Sequence, residues 1–261
     1  MKTFEFGHDK NIALIDELIE KTIGFGVSYN PGSNDLKVAG LQTLKTSLHT
    51  AQTNVDNTRG LMTDATNDRQ FIFDEMRKRA TRLVGEAIAC GADEKLVADM
   101  RSVMRKLMGK RSGKIEEVVT PAPPAEGEEA EAKAPESDPA PKVRRSVSQT
   151  SFDMRVEHMR RLKVLVEQVT GYTSNEADLT IVAVGTLCTN AENATKNVNV
   201  TKANHENARF TRDKLMYRKP TGALYIAERV KNYVKALYGA KSAQYESVMR
   251  IHLKKFKYAG L

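Results

Sequence analysis

Metal or nucleophilic chemistry in this chain would have to rest on five histidines (His8, His49, His158, His205 and His252) and two cysteines (Cys90 and Cys188). No His-x-x-x-His places two imidazoles one helical turn apart, and two thiols cannot build a four-thiolate zinc site or a disulfide framework. No Gly-x-Ser-x-Gly elbow and no phosphate-cradling glycine loop occurs. Gly24-Phe25-Gly26 reads as a loop ahead of Tyr29. His205 falls on an apolar spacing at the place where Met62 falls earlier in the chain, so it reads as a residue at the edge of a core. These residues predict no catalytic group, no metal and no cofactor, and a protein that is not an enzyme.

Charge offers more. Arg69 and Arg212 fall on seam positions that apolar residues usually fill, and an unpaired charge buried there costs several kcal/mol. A paired arginine that fixes helix register is the expected role of both. Basic clusters recur at Arg77-Lys78-Arg79, Arg105-Lys106, Lys110-Arg111 and Arg144-Arg145. The candidate polyanion contacts are Arg160, Arg161, Lys163, Arg218, Lys219, Lys254, Lys255 and Lys257, with Tyr217, Tyr225, Tyr233, Tyr238 and Phe256 interleaved among the later ones. Such patches neutralise phosphates and release counterions. Cations at helix ends also offset the helix dipole, and no recognition-helix, zinc-finger or RNA-binding signature accompanies these.

The net charge of +8 over 261 residues is a sum of unlike parts. Residues 1–115 carry +3, residues 116–141 carry −7 and residues 142–261 carry +12. The acidic strip holds six of the eight prolines, with Ala and Glu filling most of the rest. Such a composition has almost nothing to bury, so a disordered tether is expected over 116–145. The longest apolar run, near Ile181–Leu187, is far short of the ~18 residues that a membrane span needs. Met1–Lys10 lacks the basic and apolar regions of a secretory signal. A cytoplasmic protein is the expectation.

The flanks of the tether resemble each other. Shifting the chain against itself by 143 residues aligns Tyr29, Asp35-Leu36, Thr43-Leu44, Ala51, Asn54-Val55, Thr58, Ala65 and Arg69 with Tyr172, Asp178-Leu179, Thr186-Leu187, Ala194, Asn197-Val198, Thr201, Ala208 and Arg212. With Thr46 on Thr189 this makes 12 identities over positions 29–72, where average composition gives roughly two or three. Further on, Ser102-Val103-Met104-Arg105 recurs as Ser247-Val248-Met249-Arg250. This spacing predicts a tandem duplication, with one copy over 1–115 and a more basic one over 146–261.

Both copies carry the elements to hold such residues. Leu44, Leu48, Ala51, Val55, Thr58, Met62, Ala65, Arg69, Ile72 and Met76 step by four and three, and so do Leu187, Ala191, Ala194, Val198, Thr201, His205, Ala208, Arg212 and Leu215. That is a helix face packed in coiled-coil fashion. It predicts one long helix per copy, from Asp35 to about Lys78 in the first and ended by Pro220-Thr221-Gly222 in the second. Shorter helices are expected at Asn11–Ile23, Arg79–Cys90 and Lys95–Met108, then at Phe152–Val169, Ala223–Tyr238 and Ala243–Phe256, with Gly91 and Gly239 closing the third of each copy. The expected fold is all-α: two four-helix, coiled-coil-like bundles joined by the acidic Pro/Ala/Glu linker.

Three features carry a resemblance: Tyr-x5-Asp-Leu at a helix start, Ser146-Val147-Ser148-Gln149 with Ser151-Phe152-Asp153 after the linker, and Tyr238-Gly239-Ala240 with Tyr245 before the last helix. By these the chain resembles a group of uncharacterised bacterial tandem helical proteins. The resemblance implies a bacterial cytoplasmic setting and transfers no activity or site. The long seams are rich in Ala, Thr and Asn, which bury little area at ~25 cal/mol per Å². The expected function is therefore that of a non-catalytic structural or interaction protein, a homo-oligomer or a binder of another protein through long helix faces. The alternative is sequence-independent nucleic-acid binding by the basic second copy.

Overall fold

A computed structural model describes residues 5–109 and 151–255. The tether expected at 116–145 and Lys257 lie outside them. The described chain is helical: α1 Glu5–Gly24, α2 Val38–Ala89, α3 Glu94–Leu107, α4 Phe152–Glu167, α5 Ile181–Tyr217, α6 Ala223–Tyr238 and α7 Ala243–Met249, with short 3-10 turns at Gly26–Ser28 and Asn34–Leu36. Among the described residues no helix is long and apolar enough to cross a membrane.

Local chemistry sets most of the boundaries. Side chains of Asp93, Ser151 and Ser242 cap α3, α4 and α7 by accepting from the backbone N–H of Lys95, Met154 and Tyr245. Gly91 takes a φ of +84°, and the N–H of Ala92 reaches back to the carbonyl of Ala87 to close α2. Gly40 answers a different need. A Cβ there would lie 2.3 Å from the carbonyl oxygen of Asn34, so a glycine lets the entering turn fold against the first turn of α2.

Two expectations are corrected. The long helix of the first copy does not end near Lys78; it runs unbroken for 52 residues to Ala89. Between Arg69 and Gly91 there is no proline, and Phe73, Met76, Ala80, Leu83, Val84 and Ala87 continue the buried spacing. The second copy breaks where Pro220 stands, and α5 ends at Tyr217 as expected. The last helix is shorter than Ala243–Phe256, because the chain after Arg250 is pulled into extended contact. Asn11 donates to the carbonyl of Lys254 (2.8 Å) and accepts from its N–H (2.9 Å). Lys231 Nζ meets the carbonyl of Ile251.

One of the two compact units joins segments from both ends of the described chain. One unit takes Met1–Arg69 with Lys196–Leu261, and the other takes Gln70–Thr195. α1 finds its cover on α5, α6 and α7, and α3 finds its cover on α4.

In the first unit Ile12, Ile15, Leu18 and Ile19 of α1 share a core with Leu41 and Leu48 of α2, Met216 of α5, Leu224, Val230 and Val234 of α6, and Val248 of α7. Within it α2 and α5 run antiparallel, since Gln52 meets Arg212 and Thr58 meets His205. In the second unit Phe73, Met76 and Leu83 of α2 pack with Met100, Val103 and Leu107 of α3, Met159 and Leu162 of α4, and Val184 of α5. Burial of each such side chain contributes about 1.5–3 kcal/mol.

The two Tyr-x5-Asp-Leu segments make matching contacts. The hydroxyls of Tyr29 and Tyr172 donate to the carbonyls of Leu36 and Leu179, each at 2.9 Å. Asp35 pairs with Arg229 of α6, and Asp178 with Arg82 and Arg79 of α2. Burial pushes both phenols up, Tyr172 to about 12 with Glu86 adding to the effect. Tyr172→Phe leaves the Leu179 carbonyl short of its donor and should cost about 1–3 kcal/mol at neutral pH in denaturant titrations. The native phenol is the weaker acid, so its contribution is full below pH ~10 and lost as pH rises toward 12. The alkaline decline should be shallower in the variant; an unchanged decline would exclude Tyr172 as its source.

Candidate functional site

A groove of about 1320 Å³ lies in the first unit, along α2 from Gln42 to Asn57, bounded by Ile19 and Glu20 of α1 and by Thr211 and Leu215 of α5. Small-molecule pockets occupy roughly 300–1,000 Å³ and enclose their ligand; this groove is larger and open. Many of its lining side chains are small: Thr43, Thr46, Ser47, Thr50, Ala51, Thr53, Asn54 and Asn57. Thr43, Thr46 and Ser47 spend their protons on the helix carbonyls four residues back (3.0, 3.1 and 2.9 Å), which leaves their oxygens as acceptors.

An ion pair and a His–Asp hydrogen bond close the rim between α1 and α2. Lys45 Nζ lies 3.0 Å from Glu20 Oε1, and His49 Nε2 lies 2.7 Å from Asp16 Oδ2. An Asp–His pair of this kind orients a general base in triads, yet the neighbouring Ser47 hydroxyl points at its own helix. The hydroxyls nearest to the rim serve the backbone.

A buried polar network occupies the same unit. Arg212 is 0% exposed; its Nε and Nη2 donate to Asp213 Oδ1 at 3.0 and 2.9 Å, and its Nη1 to Gln52 Oε1 at 3.4 Å. Asp213 stands 3.9 Å from His8 Nδ1, which is 2.9 Å from the hydroxyl of Tyr217. Asn11 donates to that hydroxyl at 3.3 Å and clamps the backbone of Lys254. Spacing in the sequence singled out Arg212 but missed this network. A hint was present, since His8, Asn11, Ile15, Leu18 and Thr22 lie on one buried stripe of α1.

The structure separates the sequence-predicted residues. Arg69 is only half-buried, in contrast with its counterpart Arg212. His205, 8% exposed, has Nδ1 at 3.2 Å from the hydroxyl of Thr58. Arg160, Arg161 and Lys163 stand on α4 in the second unit, while Arg218, Lys219, Lys254 and Lys255 belong to the first. Arg160 is held by Glu192, Lys163 by Glu167 and Lys255 by Glu228. Arg161, Arg218, Lys219 and Lys254 are exposed. Cys90 and Cys188 are free, and burial pushes the Cys188 thiol up to about 11. Among the described residues no three His, Cys, Asp or Glu side chains gather to hold a metal. Comparison with protein-family models, curated proteins and solved structures finds no match in any of the three.

Proposed function

We propose that this chain is a non-catalytic interaction protein, built from two diverged copies of one helical unit, that self-associates through the exposed face of α2. The observation that carries the reading is the groove from Gln42 to Asn57. Small side chains allow a second helix to approach closely, and the spent hydroxyl protons leave acceptors for its donors. The carboxylates of Glu20 and Asp16 at the rim disfavour a polyanion and suit a helix face. The same face on a second copy meets that description, as an isologous dimer requires. The 143-residue offset, the paired Tyr–Leu hydrogen bonds and the paired Asp–Arg bridges support the duplication. Free cysteines support a reducing compartment.

The second reading, sequence-independent nucleic-acid binding by the basic second copy, draws on Arg161, Arg218, Lys219 and Lys254, which remain exposed. Sedimentation of the whole chain beside a Thr50→Arg variant, which fills the groove with a long charged side chain, tests the self-association reading.

A further inference from the structure

Segment 251–255 leaves α7 and is seated on α1 and α6 by its backbone. Asn11 Nδ2 donates to the carbonyl of Lys254 at 2.8 Å, and Asn11 Oδ1 accepts from the N–H of Lys254 at 2.9 Å. Lys231 Nζ donates to the carbonyl of Ile251. These bonds engage main-chain atoms, so they suit any sequence that presents the same backbone. The clamp is set in advance. Asn11 is 0% exposed, and its Nδ2 also donates to the hydroxyl of Tyr217 at 3.3 Å, itself 2.9 Å from His8 Nδ1. With both amide hydrogens so committed, Oδ1 is left to face the N–H of Lys254.

Side chains of the segment alternate. Ile251 is 1% exposed and joins the core, and Leu253 packs against it, while His252 and Lys254 are exposed. This is the period of two of an extended chain laid on a surface. Lys255 reaches Glu228 of α6 at 2.6 Å. The seat therefore takes an aliphatic residue, a second one two positions on, and a cation two beyond that. Its fit is incomplete. A pocket of about 150 Å³ remains, lined by Leu224, Ala227 and Lys231 of α6 and by Ile251 and Leu253. Unfilled space forfeits packing contacts, so the resident segment is not the tightest occupant that this seat allows. We propose that the face of α1 and α6 bearing Asn11, Lys231 and Glu228 is a binding site for an extended peptide of another protein, with segment 251–255 as its displaceable occupant. The buried Asn11 amide favours such a ligand, because one residue of an extended backbone offers it an N–H and a carbonyl on the same side.

The test uses the full chain and a fluorescent peptide with the sequence of residues 250–255, read by anisotropy. Lys254→Pro removes the N–H that Asn11 accepts and so frees the seat without touching Ile251. The freed seat should bind the peptide with a Kd of about 100 μM. In the native chain the attached segment competes at an effective concentration of about 1 mM, so binding should be roughly tenfold weaker. Adding Lys231→Ala to the Lys254→Pro chain removes the donor to the Ile251 carbonyl and should weaken the peptide roughly tenfold. A peptide with Asp in place of Ile251 should not bind, since that position is buried. Ile251→Asp in the full chain frees the seat by a second route and keeps the test open if Lys254→Pro fails to do so. Equal binding to the native and both freed chains, no binding to either freed chain, or binding that Asp in the peptide leaves unchanged would overturn the proposal.

Discussion

Arg212→Met should lower the stability of the folded chain by about 3–5 kcal/mol, the usual cost of removing one partner from a buried ion pair. Arg212 is wholly buried, and it joins Asp213 to Gln52 of α2. Its loss removes two donated hydrogen bonds from the Asp213 carboxylate, itself only 6% exposed and close to His8. For a chain of this size the change corresponds to roughly 6–20 °C in melting temperature. Arg212→Lys should not restore the loss, because one ammonium cannot replace the fork that places Nε and Nη2 on one oxygen. Arg69→Met, at the half-buried counterpart, should cost about 1 kcal/mol. Equal losses at the two positions would contradict the asymmetry that the structure places between them.

Lys78→Pro should cost about 3 kcal/mol or more, while Lys78→Ala should stay within about 0.5 kcal/mol. Lys78 is 70% exposed and pairs only with Glu75 on its own helix, so its side chain contributes little. Its backbone lies in the interior of α2, where proline removes a hydrogen bond and meets the carbonyl four residues back. A helix boundary at this point, as the spacing alone suggested, would accept proline in its first turn at little cost. The two outcomes differ by several kcal/mol in a denaturant titration, which makes the variant a direct test of the unbroken helix.

What was legible in the chain follows from which physics is local. Periodic apolar spacing announces each helix, and Gly91, Ser151 and Pro220 mark ends because each acts through its own backbone or the next turn. The junction at Lys78–Arg79 misled because a cluster of charges resembles a helix end, yet carries nothing that breaks one. The end of α7 was hidden for the opposite reason. Arg250 begins no turn signal; the chain leaves the helix because Asn11, 243 residues away in sequence, binds the backbone of Lys254.

The cover of α1 was hidden in the same way, because α5, α6 and α7 come from far along the chain. The Tyr-x5-Asp-Leu pattern was visible as a repeat, but its Arg229 and Arg82 partners come from distant helices. For the site, the seam spacing located Arg212 and left out Gln52 and His8. It also passed over the neighbouring face of α2, where Thr43, Thr46, Ser47 and Thr50 line an open groove.

The central claim is self-association through that groove, and sedimentation equilibrium of the full chain from about 1 to 100 μM tests it most directly. The expected result is a mass that rises from one chain toward two across this range, with Thr50→Arg held at one chain while its helical content is unchanged. A single chain at every concentration, or a dimer that Thr50→Arg leaves intact, would contradict it.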